Sequence, residues 1–83
     1  MIRKMIFEKV RATLMEALNV DEEEVRLDSK LQEDLGAEEI DYLDIAFQLR
    51  REFGIKISYQ ELFPESIDQT VEGIINHLEQ TLI

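Results

Sequence analysis

Apolar residues recur at the spacing of an amphipathic helix in three stretches of the chain. In the first stretch they lie three and four residues apart between Phe7 and Leu18, which predicts a helix over residues 2–18 that ends at Asn19. The second stretch is closed by Gly54, at the position where a left-handed helix cap is expected. Its apolar positions are Ile40, Leu43, Ala46, Phe47, Leu49 and Phe53.

The third stretch predicts the last helix, with Asp68 as its N-cap; its apolar positions are Val71, Ile74, Ile75, Leu78 and Leu82. Between the first two helices, residues 20–37 form a long connection, and such a loop is uncommon in a compact protein unless it is packed or functional. Four of its side chains are expected to hold it against the core: Val25, Leu27, Leu31 and Leu35.

After the second helix, residues 55–57 are interpreted as an extended loop, since no second strand exists to pair with them. Residues 59–63 predict one helical turn, stopped by Pro64. The sequence therefore predicts an all-α fold, a small bundle of three main helices plus one short helix, in a single domain over residues 1–83.

The charge balance restricts the partners. With 19 acidic and 9 basic residues the net charge is -10, which excludes nucleic acid and favours proteins with basic patches. An acidic surface that serves only solubility explains the same excess. The chain has no cysteine, no signal-peptide pattern and no run approaching the roughly 20 apolar residues of a membrane span, so we expect a cytoplasmic protein. We also expect a monomer.

The sequence gives little indication of metal binding or catalysis. The acidic run at residues 21–24 lacks the spaced ligands and central glycine of a calcium loop, and His77 is the only histidine. The sequence does not suggest a nucleophile, a general base and an orienting group that would act together in catalysis. We therefore predict no metal site, no catalytic residues and no enzymatic activity.

Several motifs, in order, resemble acyl carrier proteins. Residues 33–41 read EDLGAEEID, residues 52–57 read EFGIKI, and Thr70 and Val71 open the last helix. The resemblance extends over residues 5–78. It implies that family's helical fold and a place in fatty-acid, polyketide or related acyl metabolism.

Members of that family carry acyl groups as thioesters on 4′-phosphopantetheine, attached to a serine at the start of the second helix, where free N–H groups favour a phosphate. In this sequence Glu39 occupies that position, and a carboxylate cannot be the acceptor hydroxyl. No bound cofactor is therefore expected. Ile40 stands where the family has leucine and is counted among the matching core positions. Asp41 follows Glu38 by three residues, a spacing at which an acid can cap the helix start.

Three interpretations of Glu39 remain open. It is a drifted residue stabilised by the helix dipole, a charge that imitates the missing phosphodiester, or an introduced change. An alternative attachment site at Ser29 has the superficial similarity DSKL, whereas Ser58 and Ser66 fit turn or cap roles.

The resemblance also implies that the second helix docks to enzymes with basic patches. The partner-binding candidates on it are Glu38, Glu39, Asp41 and Asp44. Arg50 and Arg51 depart from the family pattern and give the helix an acidic front and a basic rear. The predicted function is a carrier-like module that is not phosphopantetheinylated and acts by docking; the alternative is a working acyl carrier with an atypical attachment site or an altered chain.

Overall fold

The computed structural model describes residues 2–63 and 69–82 and is built from helices. The helices are α1 (Arg3–Leu18), α2 (Glu39–Phe53), α3 (Tyr59–Leu62) and α4 (Val71–Thr81), with a short 3-10 turn at Glu22–Glu24. Over the described ranges there is no strand, only one isolated antiparallel bridge between Lys30 and Thr70. The predicted all-α fold of three main helices plus one short helix is confirmed.

The core lies where α1 packs against both α2 and α4. The side chains at its centre are at most 1% exposed and come from all three long helices: Ile6, Val10, Leu14, Ile45, Ala46, Leu49, Val71, Ile74, Ile75 and Leu78. Each of the large aliphatic side chains contributes roughly 1.5–3 kcal/mol by leaving water. The spacing within each helix places these residues on one face, which is why the helices pack as a bundle.

The ends of the long helices follow from local chemistry. Gly54 takes a φ of 63° and its N–H donates to the Arg50 carbonyl, so the predicted left-handed cap of α2 is confirmed. At the start of α4, the Thr70 hydroxyl accepts a hydrogen bond from the Gly73 N–H at 3.1 Å. Thr70 is thus the N-cap in place of the predicted Asp68, which itself lies outside the described residues.

The long connection is attached to α4 through its backbone. The carbonyls of Leu27 and Ser29 accept from the N–H groups of Glu72 and Val71 at 2.9 and 3.1 Å. Three of the four predicted anchoring side chains, Val25, Leu31 and Leu35, are buried. The prediction for Leu27 is wrong: its side chain is 41% exposed, because the backbone carbonyl makes the attachment at this position.

Two tight segments lead into α2 and α3. Before α2, Gly36 has a φ of 72°, and the Ala37 N–H donates to the Leu31 carbonyl at 2.8 Å, which folds the chain back toward the helix start. Before α3, the Ser58 hydroxyl accepts from the Glu61 N–H at 3.1 Å, as its predicted cap role requires. Pro64, the predicted stop of α3, lies outside the described residues.

Candidate functional site

The start of α2 is held by an acid that caps backwards. Glu38 is the N-cap, and its N–H donates to the Asp41 Oδ2 at 2.8 Å. Asp41 is half-buried. Because its Oδ2 accepts this hydrogen bond, one of its two carboxylate oxygens is occupied at the helix start. Of the four predicted partner-binding acids, Glu38 and Asp41 both belong to the capping box at this helix start.

Glu39 is the first residue of α2 and is exposed. Its carboxylate makes no hydrogen bond or ion pair with residues 2–63 or 69–82. A carboxylate in the first turn interacts favourably with the positive end of the helix dipole, by roughly 0.3–1 kcal/mol. The position that the resemblance assigns to the attachment serine is thus a solvent-facing helix start occupied by a glutamate.

The chain has three serines, at positions 29, 58 and 66. Ser29 is 3% exposed, and its hydroxyl donates to the Glu24 carbonyl at 2.8 Å and accepts from the Arg26 N–H at 2.9 Å. A modifying enzyme cannot reach that hydroxyl without opening the loop. Ser58 caps α3, and Ser66 lies outside the described residues.

An apolar stripe runs along the outside of α2. It consists of Ile40, Leu43 and Phe47, which are 71%, 54% and 52% exposed. The expectation that Ile40 is a core position is wrong, because α2 has a second set of apolar residues, Ile45, Ala46 and Leu49, that faces the core. The sequence signal was present, since apolar residues occupy most of the circumference of this helix, but periodicity alone does not tell which face is inside.

Charged residues flank the α2 apolar stripe. Glu39 and Asp44 lie in the N-terminal half of α2, and Arg50 and Arg51 lie in its last turn, where the helix dipole favours cations. The Asp44 Oδ2 accepts from the Gln48 Nε2 at 3.0 Å, and the Arg51 guanidinium lies 5.7 Å from the centre of the Phe47 ring. In the part of the chain that the structure describes, none of these four charges has an ion-pair partner.

Tyr42 connects α2 to α3 on the opposite side of the helix. Its ring meets the Phe63 ring edge-on with centroids 4.9 Å apart, and Tyr59 packs on the same Phe63 at 5.8 Å. Burial, followed by the neighbouring Tyr59 and Asp41, raises the pKa of the Tyr42 phenol above its ordinary value of 10.0. The phenol is therefore neutral at physiological pH and acts as a packing group.

The acidic run at residues 21–24, which follows α1, is held by contacts within the protein. The Asp21 N–H donates to the Glu24 Oε2 at 2.7 Å, and Glu22 pairs with Arg11 at 3.4 Å. Over residues 2–63 and 69–82, no three acidic or imidazole side chains are grouped so that they could hold a metal ion. Among those residues there is also no helix with the length and apolar character needed to cross a bilayer.

The small helical bundle and its long first connection fit the fold that the sequence resemblance implies. A family model described as the phosphopantetheine attachment site matches residues 8–78. An acyl carrier protein of Thermotoga maritima is 39% identical over 80 residues, which cover 96% of this chain and 95% of that protein. One from Petrotoga mobilis is 38% identical over 82 residues, covering 99% and 93%, and one from Campylobacter concisus is 33% identical over 75 residues, covering 90% and 94%. The chain belongs to the acyl carrier protein family.

Proposed function

We propose that this chain is an acyl-carrier-protein-like module that docks to enzymes of fatty-acid, polyketide or related acyl metabolism without carrying a phosphopantetheine arm. The observation that carries the proposal is Glu39, an exposed carboxylate at the first position of α2. The resemblance assigns the attachment serine to this position. A carboxylate has no hydroxyl to attack the phosphodonor, so the arm cannot be joined there.

Docking is supported by the combination of apolar and acidic groups on one helix. The α2 apolar stripe offers a contact that loses water on binding, and Glu38, Glu39 and Asp44 beside it attract basic patches on a partner. Asp41 contributes more to holding the helix start than to a partner. In this proposal the module has no catalytic residues of its own and acts in the cytoplasm by occupying or regulating carrier-dependent enzymes.

The alternative function is a working acyl carrier with another attachment site or an altered chain. Its support is the identity of 39% with a relative named acyl carrier protein. The environment of Ser29 disfavours that residue as the site, because its hydroxyl is buried and bonded at both ends.

The decisive experiment is intact-mass measurement after incubation with coenzyme A and a phosphopantetheinyl transferase. We expect no mass gain for the parent chain and a gain of one phosphopantetheine for Glu39→Ser. The triple variant, with Glu38→Asp and Ile40→Leu added, restores the family motif more fully. Glu39→Ala is the matched control, since it also removes the carboxylate but supplies no hydroxyl. Folding should tolerate these changes, because one dipole-stabilised carboxylate contributes at most about 1 kcal/mol.

A mass gain on the parent chain would overturn the proposal. Peptide mapping of the gain to Ser29 or Ser66 would establish the alternative function. If the triple variant folds by circular dichroism but stays unmodified, the docking surface has diverged beyond the single acceptor residue, and Arg50 and Arg51 become the first substitutions to reverse.

A further inference from the structure

The charges beside the α2 apolar stripe are arranged in two matching rows. In an α-helix with about 3.6 residues per turn, positions 11 apart are close to three full turns and positions seven apart are close to two. Glu39 and Arg50 therefore lie along one edge of the stripe, and Asp44 and Arg51 lie along the other. Each edge begins with an acid and ends with a base.

Such a surface is complementary to itself. When two copies of α2 face each other in antiparallel orientation about a two-fold axis, each edge meets the same edge of the other helix running in reverse. With the two-fold axis near Ala46, Glu39 lies about 4.5 Å along the helix axis from Arg50 of the second copy, and Asp44 lies equally far from Arg51 of the second copy. The long arginine side chains span that offset. A parallel arrangement would instead place like charges together. Leu43 and Phe47 lie near the middle of the antiparallel pair, so the apolar residues form its centre and the charges its rim.

We propose that α2 is a self-association surface and that the partner it fits is a second copy of this chain, bound antiparallel through the stripe. The exposed Ile40, Leu43 and Phe47 supply the contact, and the four flanking charges, which form no ion pair with residues 2–63 or 69–82, select the orientation. This proposal differs from the monomer expected from the sequence, because the exposure of the stripe is a feature of the folded structure. Self-association does not depend on the proposed docking function, but it covers the same helix and would compete with it.

The net charge of -10 sets the conditions for this pairing. Two copies repel each other at long range, and salt screens that repulsion over about 10 Å at 0.1 M, while the short ion pairs at the rim are screened less. The contact is small compared with stable interfaces, so the dimer is weak and reversible. Moderate salt should therefore strengthen it relative to very low salt.

Sedimentation equilibrium of the parent chain, from about 10 µM to 1 mM, measures the association directly. We expect a monomer–dimer equilibrium that Leu43→Glu and Phe47→Glu each weaken at least about tenfold. Asp44→Arg alone and Arg51→Glu alone should also weaken it, because each creates two like-charge contacts across the pair. Glu23→Arg is the matched control: Glu23 is exposed on the 3-10 turn, away from α2, and its change alters the net charge as Asp44→Arg does.

An equimolar mixture of the Asp44→Arg and Arg51→Glu chains is the sharpest arm. Both opposite-charge contacts are restored between unlike copies, so the mixture should associate more strongly than either variant alone. Circular dichroism establishes that each variant is folded. The inference is overturned if the parent chain stays monomeric at about 1 mM in moderate salt. It is equally overturned if the stripe variants associate like the parent, or if the mixture associates no better than its components.

Discussion

Helices α2 and α4 use their apolar residues in opposite ways. In α4 the apolar positions share one face, and Val71, Ile74, Ile75 and Leu78 are all buried. In α2 the apolar residues divide between two faces, with Ile45, Ala46 and Leu49 in the core and the α2 apolar stripe in solvent. One helix is therefore fully used by the fold, while the other has apolar surface left over.

The starts of α2 and α4 also differ, in whether their first N–H groups are hydrogen-bonded. The first three N–H groups of α4 are all bonded, two by carbonyls of the long connection and one by the Thr70 hydroxyl. At the start of α2, the N–H groups of Glu39 and Ile40 have no acceptor among the described residues. α4 is closed by the rest of the protein, whereas α2 presents both an open start and an apolar side. Exposed apolar residues grouped in this way are typical of interaction surfaces.

The largest expected effect is the difference in stability loss between a leucine-to-alanine substitution on α4 and the same substitution on α2. Leu78→Ala should lower the free energy of unfolding by about 2–5 kcal/mol, because it removes a fully buried side chain from α4 and leaves a cavity. Leu43→Ala should cost less than about 1 kcal/mol, since Leu43 is already half in water. Urea unfolding followed by circular dichroism measures both.

Because an 83-residue protein has only about 3–5 kcal/mol in reserve, Leu78→Ala could leave little folded protein. Ile75→Val is the milder companion and should cost about 0.5–1.5 kcal/mol. Equal losses for Leu78→Ala and Leu43→Ala would mean that the stripe is covered in solution, and measurement at low protein concentration would tell whether a second copy covers it.

Much of the fold was predictable because local rules agreed with the tertiary structure. The spacing of five apolar residues predicted the last helix, and four of the five are buried in α4. Gly54 predicted the left-handed end of α2. Asp68 and Thr70 are both capping-type residues, and the sequence pattern alone does not show which of them caps α4. The start at Val71 is fixed by hydrogen bonds to carbonyls of the long connection, and a sequence pattern does not reveal such bonds.

The candidate site was less predictable than the fold, because the exposure of its residues depends on tertiary contacts that the sequence pattern does not specify. The position of Glu39 came from the resemblance, but the exposure of Ile40 depends on which face of α2 turns toward α1, and that is decided by distant residues. Leu27 failed in the same way, because a backbone bond to Glu72 replaces the expected side-chain contact. The charged rows on α2 were visible in the sequence, yet their relation to an exposed stripe was not.

A smaller effect is expected from the caps. Thr70→Ala should destabilise the protein by about 1 kcal/mol, because it removes the acceptor for the Gly73 N–H at the start of α4. Asp41→Ala should cost about 0.5 kcal/mol, since the Glu38 N–H that it releases is exposed and water can replace the carboxylate. Chemical denaturation of both variants tests the difference. A larger loss for Asp41→Ala would show that the start of α2 is as tightly built as that of α4.

The smallest effect concerns paired and unpaired arginines. Arg3 contacts Glu79 at 3.2 Å and Glu72 at 3.5 Å, and so ties α1 to α4, whereas Arg51 has no ion pair with the described residues. Arg3→Gln and Arg51→Gln change the net charge equally, but only the first breaks ion pairs with the described residues. We expect Arg3→Gln to cost about 0.2–1 kcal/mol and Arg51→Gln less, because exposed pairs are weakened by water and by side-chain entropy.

Salt provides the independent control for this pair of variants. Screening of the net charge of -10 should raise the melting temperature of the parent chain, and it should also shrink the difference between Arg3→Gln and Arg51→Gln. Thermal unfolding at low and at about 0.5 M salt measures both trends. If the difference persists at high salt, Arg3 acts through the packing of its aliphatic stem rather than its charge. If Arg51→Gln is the more damaging variant at low protein concentration, its contact with Phe47 stabilises the isolated chain, and the rear of α2 is not free for a partner.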